Sequence, residues 1–147
     1  MDMKLEVIVL PVSDVKRARD FYRSAGFRED LDFASGDGFR VVRLTPPGSA
    51  ASIVFGTGLT DAIPGSVQGL HLGVDDIEAA REQLVAAGID VGDVFHDLGG
   101  VFYHHSPAYE VPGPDPARRD GASFARFSDP DGNGWVLQEV RERPAGG

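Results

Sequence analysis

With 147 residues, no cysteine, and 23 acidic against 14 basic side chains, this chain has neither disulfides nor thiolate chemistry, and no positive field to hold a phosphate backbone. Its formal net charge of −9 argues against nucleic acid or an anionic membrane surface as partner, and its length suits one domain that buries a core unaided. No stretch is long and apolar enough for a signal core or a bilayer span, so a cytoplasmic protein is expected.

In chain order, residues 4–12 read as a strand rich in Val, Ile and Leu, with Pro11 near its end where a missing amide donor is tolerated. A helix follows: Asp14 is its cap, Val15, Ala18, Tyr22 and Ala25 mark one face, and Gly26 supplies a left-handed stop. Phe39–Leu44 and Ser52–Phe55 read as strands joined through Pro46, Pro47 and Gly48, with room for a further short strand near Leu31–Ala34. Gly69–Val74 is the next strand and about Asp76–Ala87 the next helix, with Asp75 and Glu78 at capping-box spacing and Gly88 as its stop. Strands around Val91–His96, Ser123–Phe127 and Trp135–Val140 complete the set, the last two joined by the turn-rich run Asp129-Pro130-Asp131-Gly132-Asn133-Gly134. The long loop Leu98–Asp120 is expected to cover a cleft, because Val101, Phe102, Tyr103 and Tyr109 are too apolar for a solvated linker. Pro144–Gly147 is expected to fray.

These elements repeat. Val12, Asp14, Ala18, Arg19, Ala25 and Gly26 recur as Val74, Asp76, Ala80, Arg81, Ala87 and Gly88 at a constant offset of 62, so the single domain 1–147 divides into modules at about 3–62 and 66–141. Two copies of one supersecondary unit meet at a natural cleft, and function is sought there.

A strand ending Val-x-Asp, a helix carrying Ala-x-x-Phe-Tyr, the Gly-Phe stop, a second copy ending Val-Asp-Asp, and Phe-x-Asp-Pro-Asp-Gly-Asn before the final strand together resemble the vicinal oxygen chelate superfamily. This is the glyoxalase, bleomycin-resistance and extradiol-dioxygenase group, and the resemblance covers residues 3–141. It implies an α+β fold of two βαβββ modules whose eight strands form a cupped mixed sheet with helices on the convex side, and a homodimer. Enzymes of the superfamily bind a divalent metal through four His or Glu residues, on the first and fourth strands of each module. Those positions are held here by Val7, Val54, Gly69 and Val136, none of which has a lone pair to offer a cation, so neither metal nor other cofactor is expected.

The resemblance and the strand alternation together set the candidate ligand contacts: Val7, Val9, Val54, His71, His96, Phe102, Tyr103, His105, Val136 and Gln138. His71 and Gln138 fall on the cleft-facing side, where an imidazole can serve as general base or anchor and an amide can fix a polar substituent. Phe124 and Phe127 have opposite parity; one faces the cleft and the other the core, and the alternation leaves open which. His96, His104 and His105 lie at the long loop without the spacing of a zinc motif. Asp129-x-Asp131-x-Asn133-Gly134 imitates the start of a calcium loop, but Val140 stands where the bidentate glutamate belongs, so a hairpin turn is expected.

Three readings follow. A metal-free apolar cleft holds an aromatic or polyketide-like small molecule, for sequestration or resistance. Alternatively, His71 moves a proton in a metal-independent isomerase, cyclase or lyase; or histidines relocated from the usual positions hold a metal.

Overall fold

The structure, a computed structural model, describes residues 1–100, 104 and 106–141. Its elements run β1 (Val7–Val9), α1 (Val15–Ser24), β2 (Arg28–Ala34), β3 (Arg40–Thr45), β4 (Ser52–Gly56), β5 (Leu70–Val74), α2 (Ile77–Ala86), β6 (Phe95–Asp97), a short 3-10 turn (Pro107–Tyr109), β7 (Glu110–Pro112), β8 (Ser123–Ser128) and β9 (Gly134–Glu139). The α+β class is the expected one. The strands number nine among the described residues, in one sheet of four (β1-β4-β3-β2) and one of five (β5-β9-β8-β6-β7), where eight were expected. The extra strand, β7, comes from the long loop and pairs antiparallel with β6, Asp97 opposite Glu110. The chain divides into two compact units: Met1–Gln68 with Ser128–Gly134, and Gly69–Phe127 with Trp135–Gly147.

In the first unit the strand pairing separates two faces. Ile53 and Phe55 of β4 lie beside Leu44 and Val42 of β3, and all four are buried with Ala18 and Tyr22 of α1. The Tyr22 and Phe55 rings lie 6.0 Å apart, so this is the helix-covered face. The opposite face carries Val9 beside Val54, then Arg43 and Val41. A β-bulge at Asp30 decides what β2 adds, since Glu29 pairs with Leu44 but Leu31 pairs with Arg43. Regular alternation would have put Glu29, Leu31 and Phe33 on one face; the extra residue turns Leu31 and Phe33 onto the helix-free side. There they are about half exposed, at 46% and 51%, while Val7 and Val9 are exposed on β1 at the opposite edge of the sheet. Glu29 and Asp32 stay on the helix side and pair with Arg19 of α1.

β1 is shorter than the strand expected over residues 4–12, and at its C-terminal end Pro11 has no amide to extend the ladder. The Pro11 carbonyl instead accepts from Gly65 N at 3.1 Å and from Asn133 Nδ2 at 2.9 Å. Asn133 belongs to the Asp129–Gly134 run, which folds as a turn. The buried Asp129 carboxylate accepts from the Tyr22 hydroxyl at 2.7 Å, Asn133 Nδ2 at 2.8 Å, Asn133 N at 2.9 Å and Asp131 N at 3.0 Å. Four donors occupy its lone pairs, which is the chemistry of a hydrogen-bonded turn and not of a calcium shell.

The second unit repeats the first closely. The helices α1 and α2 are displaced by the same 62 residues at both ends, each is capped by an Asp side chain (Asp14, Asp76), and Gly26 and Gly88 follow them at φ of 96° and 90°. The α2 cap is Asp76, which accepts from Glu78 N and Ala79 N, so the capping box expected from Asp75 does not form. The strand expected over Val91–His96 is confined to Phe95–Asp97, because Arg81 takes the Val91 and Gly92 carbonyls that a ladder would use. Behind β9, Glu139 is fully buried; it accepts from Ile77 N at 3.0 Å and pairs with Arg118 Nη2 at 2.6 Å. Arg118 stands at φ 49°, a left-handed backbone that this buried pair holds in place. Its hydrogen bond holds the Glu139 carboxyl below the usual range against the opposing effect of burial.

Candidate functional site

β5 and β9 run parallel, with His71 opposite Val136 and Gly73 opposite Gln138. The period of two sets these residues on one face and Trp135, Leu137 and Glu139 on the other. His71 is exposed, and its Nδ1 lies 2.9 Å from Oε1 of Gln138. The Gln138 amide is itself anchored, Nε2 donating to the Gly121 carbonyl at 3.0 Å, and Gly121 N donates to the Glu139 carbonyl at 2.8 Å. Gly121 sits at φ 75°, and a Cβ there would stand 3.2 Å from Gln138 Nε2.

Beside this polar relay lies an apolar layer. Phe124 meets the His71 ring edge-on, with centroids 6.4 Å apart, and packs with Phe95 and Val136 in a buried cluster. Phe127 stacks on Trp135 on the opposite side, which settles the parity left open by the sequence: Phe124 faces His71 and Phe127 the core. Val136 is only 4% exposed, so it is a wall beneath the imidazole rather than an accessible surface. Arg126, two residues past Phe124, lays its guanidinium 4.3 Å over the Phe95 ring and pairs with Glu110 of β7.

His96 is not brought to His71. Phe95 faces Phe124, so its neighbour His96 projects from the other side of β6, where Nδ1 donates to the Gly113 carbonyl at 2.8 Å. It borders a cavity of about 290 Å³ together with Asp97, Val111, Asp115, Pro116 and Arg119, among others. The lining mixes charged side chains with apolar ones. Asp115 is held well below the ordinary carboxylate range, first by the Arg119 side chain and then by its backbone amide, with burial opposing. Burial acts to raise Asp97, but hydrogen bonds from the amide and ring of His104 and from the Gly99 amide outweigh it and lower the group. His104 stacks on Tyr109, with centroids 4.1 Å apart.

Val7, Val9 and Val54 share the helix-free face of the first unit, and Gly69 precedes β5 at φ 78°. The expected contacts Phe102, Tyr103 and His105, with Val101 and the Pro144–Gly147 tail, lie outside the described residues. Among the described residues, no group of three or more His, Asp or Glu is placed to hold a metal ion. The positions that carry donors in metal-dependent relatives offer three alkyl side chains and a glycine, which do not fit a divalent cation. Among the described residues, no helix is long and apolar enough to cross a membrane. Phe95, Gly121 and Arg126 were not among the sequence candidates, and Phe124 was one of two alternatives that the alternation left open. The alternation along β8 carried a signal for Arg126, which shares the parity of Phe124, whereas nothing local marked Gly121.

Two units, each a strand and a helix followed by further strands of one mixed sheet, with their helices 62 residues apart, define the class. The family model for the Glyoxalase/Bleomycin resistance protein/Dioxygenase superfamily matches residues 4–137, and the chain belongs to that superfamily. Among solved structures it is similar to TnmS3, an antibiotic binding protein from Streptomyces sp. CB03234, at 28% identity over 95% of this chain and 97% of that one, with a TM-score of 0.67. A glyoxalase/bleomycin resistance protein from the same organism is 28% identical over 92% and 100% of the two chains, TM-score 0.65. A member of the superfamily from Sphaerobacter thermophilus DSM 20745 is 27% identical over 94% and 98%, TM-score 0.64. No curated protein matches the chain.

Proposed function

We propose that this protein binds an organic small molecule, aromatic or polyketide-like, without a metal, and sequesters it in the cytoplasm as a homodimer. The observation that carries the reading is the exposed His71 imidazole, oriented by Gln138 at the edge of the Phe124–Phe95–Val136 layer. A single oriented polar group set in apolar surroundings is how small-molecule sites fix orientation while apolar area supplies affinity. The helix-free face of the first unit supports the same reading, since apolar side chains are exposed there at both edges of the sheet, Val7 and Val9 on β1 and Leu31 and Phe33 on β2. The likeness to an antibiotic binding protein over nearly the whole chain agrees with it. Val7, Val54, Gly69 and Val136 make metal-dependent chemistry at the family's usual positions unsuitable for this chain.

A second reading is favoured by the same pair. A ring whose orientation is set by a neighbouring amide is also the arrangement of a general base and its orienting group, so His71 suits proton transfer in an isomerase, cyclase or lyase. Native mass spectrometry of protein isolated without tag or chelator tests the first reading: a retained organic mass and a dimer are expected, and a stoichiometric transition metal would overturn it. With the co-purified compound identified, His71→Ala separates the two. Weakened binding with no product formed by the wild type supports sequestration; retained binding with lost turnover supports catalysis.

A further inference from the structure

We propose that the cavity bordered by His96 and Arg119 is a second small-molecule site, on the side of β6 away from His71, and that it selects a neutral compound carrying an acceptor and a donor together, as in a carboxamide, lactam or urea. It goes beyond the function proposed for the His71 face and stands independently of it.

The charged groups in the described lining are Asp97, Asp115 and Arg119. Each carboxylate already takes three bonds: Asp97 from Gly99 N, His104 N and His104 Nδ1, and Asp115 from the Arg119 amide, Nε and Nη2. Two side-chain nitrogens of the lining make no hydrogen bond among the described residues, His96 Nε2 and Arg119 Nη1.

His96 supplies an acceptor. The Gly113 carbonyl can only accept, so Nδ1, 2.8 Å from it, carries the hydrogen, and Nε2 of the neutral ring keeps a lone pair. Among the described residues no buried side-chain nitrogen or oxygen lacks a partner, so Nε2 of the part-buried His96 is reachable rather than sealed. Arg119 supplies a donor. Asp115 holds its Nε and Nη2, and the Asp115 amide in turn donates to Ser123 Oγ at 2.9 Å, which fixes the guanidinium before any ligand arrives. Nη1 lies against Gly100, where an added Cβ would stand 2.9 Å from it; glycine, at φ 90°, leaves that donor uncovered.

These two groups discriminate by chemistry. A carboxylate suits Nη1 but only accepts, and it adds a third negative charge to a lining that sets two aspartates against one arginine. An ammonium suits Nε2 but turns donors and positive charge toward Nη1. A neutral amide has a group for each, its carbonyl for Nη1 and its N–H for Nε2. The volume of about 290 Å³, with Val111 and Pro116 in the wall, leaves room for an aromatic ring beside the amide.

The test is titration of ¹⁵N-labelled protein, at a pH where imidazoles are neutral, with benzamide, benzoate and benzylamine, which share one ring and nearly one size. Benzamide is expected to shift the backbone amides of Gly99, Gly100, Val111 and Arg119 saturably, and the two ions to bind there about five-fold more weakly or worse. His96→Asn, whose side-chain N–H can keep the bond to the Gly113 carbonyl while the ring acceptor is gone, is expected to weaken benzamide about five-fold without weakening benzoate. Unchanged benzamide binding in that variant overturns the role of His96. The wild-type ranking decides without any variant: equal affinities, or a preference for either ion, overturn the selectivity. No shift at these four residues with any probe, or shifts confined to the strands around His71, overturns the site and leaves the function proposed for the His71 face standing.

Discussion

Asp115 shows how a single charged residue is held in this chain. Its carboxylate is buried and takes bonds from Arg119 Nε and the Arg119 backbone amide, both at 3.0 Å, and from Nη2 at 2.5 Å. These bonds lower its pKa, so the folded state binds its proton less readily than the unfolded chain. Such a group adds stability above its ordinary value of 3.8, and that contribution is lost as the pH falls through the lower folded value. Asp115→Asn is therefore expected to reduce stability at pH 7 and to flatten the acid limb of a urea-midpoint profile below about pH 4. An unchanged acid limb would mean that the pair with Arg119 contributes nothing across the transition. The same scale explains why Phe124 and Phe127 lead different lives: three positions apart on one strand, they fall on opposite faces, one against His71 and one against Trp135.

Among the elements, the two helix stops and the β3–β4 pairing make opposite demands on glycine. Gly26 has φ 96° and nothing within 4 Å of an added Cβ, so Gly26→Ala meets only backbone strain, about 1 kcal/mol. At Gly56 the same methyl would stand 2.1 Å from the Arg40 carbonyl oxygen, which forces β3 and β4 apart and costs about 3 kcal/mol. Chemical unfolding of both variants checks the contrast, and equal losses would contradict it. The bulge at Asp30 acts at this scale too. One unpaired residue reverses the alternation of β2, so Leu31 and Phe33 become exposed surface and Glu29 and Asp32 become partners of Arg19. Local composition carried no sign of it, because a bulge is a relation between two strands.

At the scale of the whole chain, the first unit is not contiguous: it needs Ser128–Gly134, some sixty residues beyond Gln68. Tyr22, Pro11 and Val67 take their bonds from Asp129 and Asn133 of that stretch. Expressed alone, residues 1–68 are expected to lack the dispersed amide NMR spectrum of a folded domain, since those partners and the buried Asp129 network are missing; a well-dispersed spectrum would refute this dependence. Much of the fold was nevertheless legible beforehand. The helix positions, their Asp and Gly ends, the 62-residue repeat and the faces of His71, Val136 and Gln138 all follow from local spacing, because capping and strand alternation are decided within a few residues. The addition of β7 to the second sheet, the turning of His96 away from His71, and the Gly121–Gln138–His71 relay were not legible. Each depends on which segments pair across long sequence separations, and a hydrogen bond between residues 67 apart leaves no trace in the spacing of either.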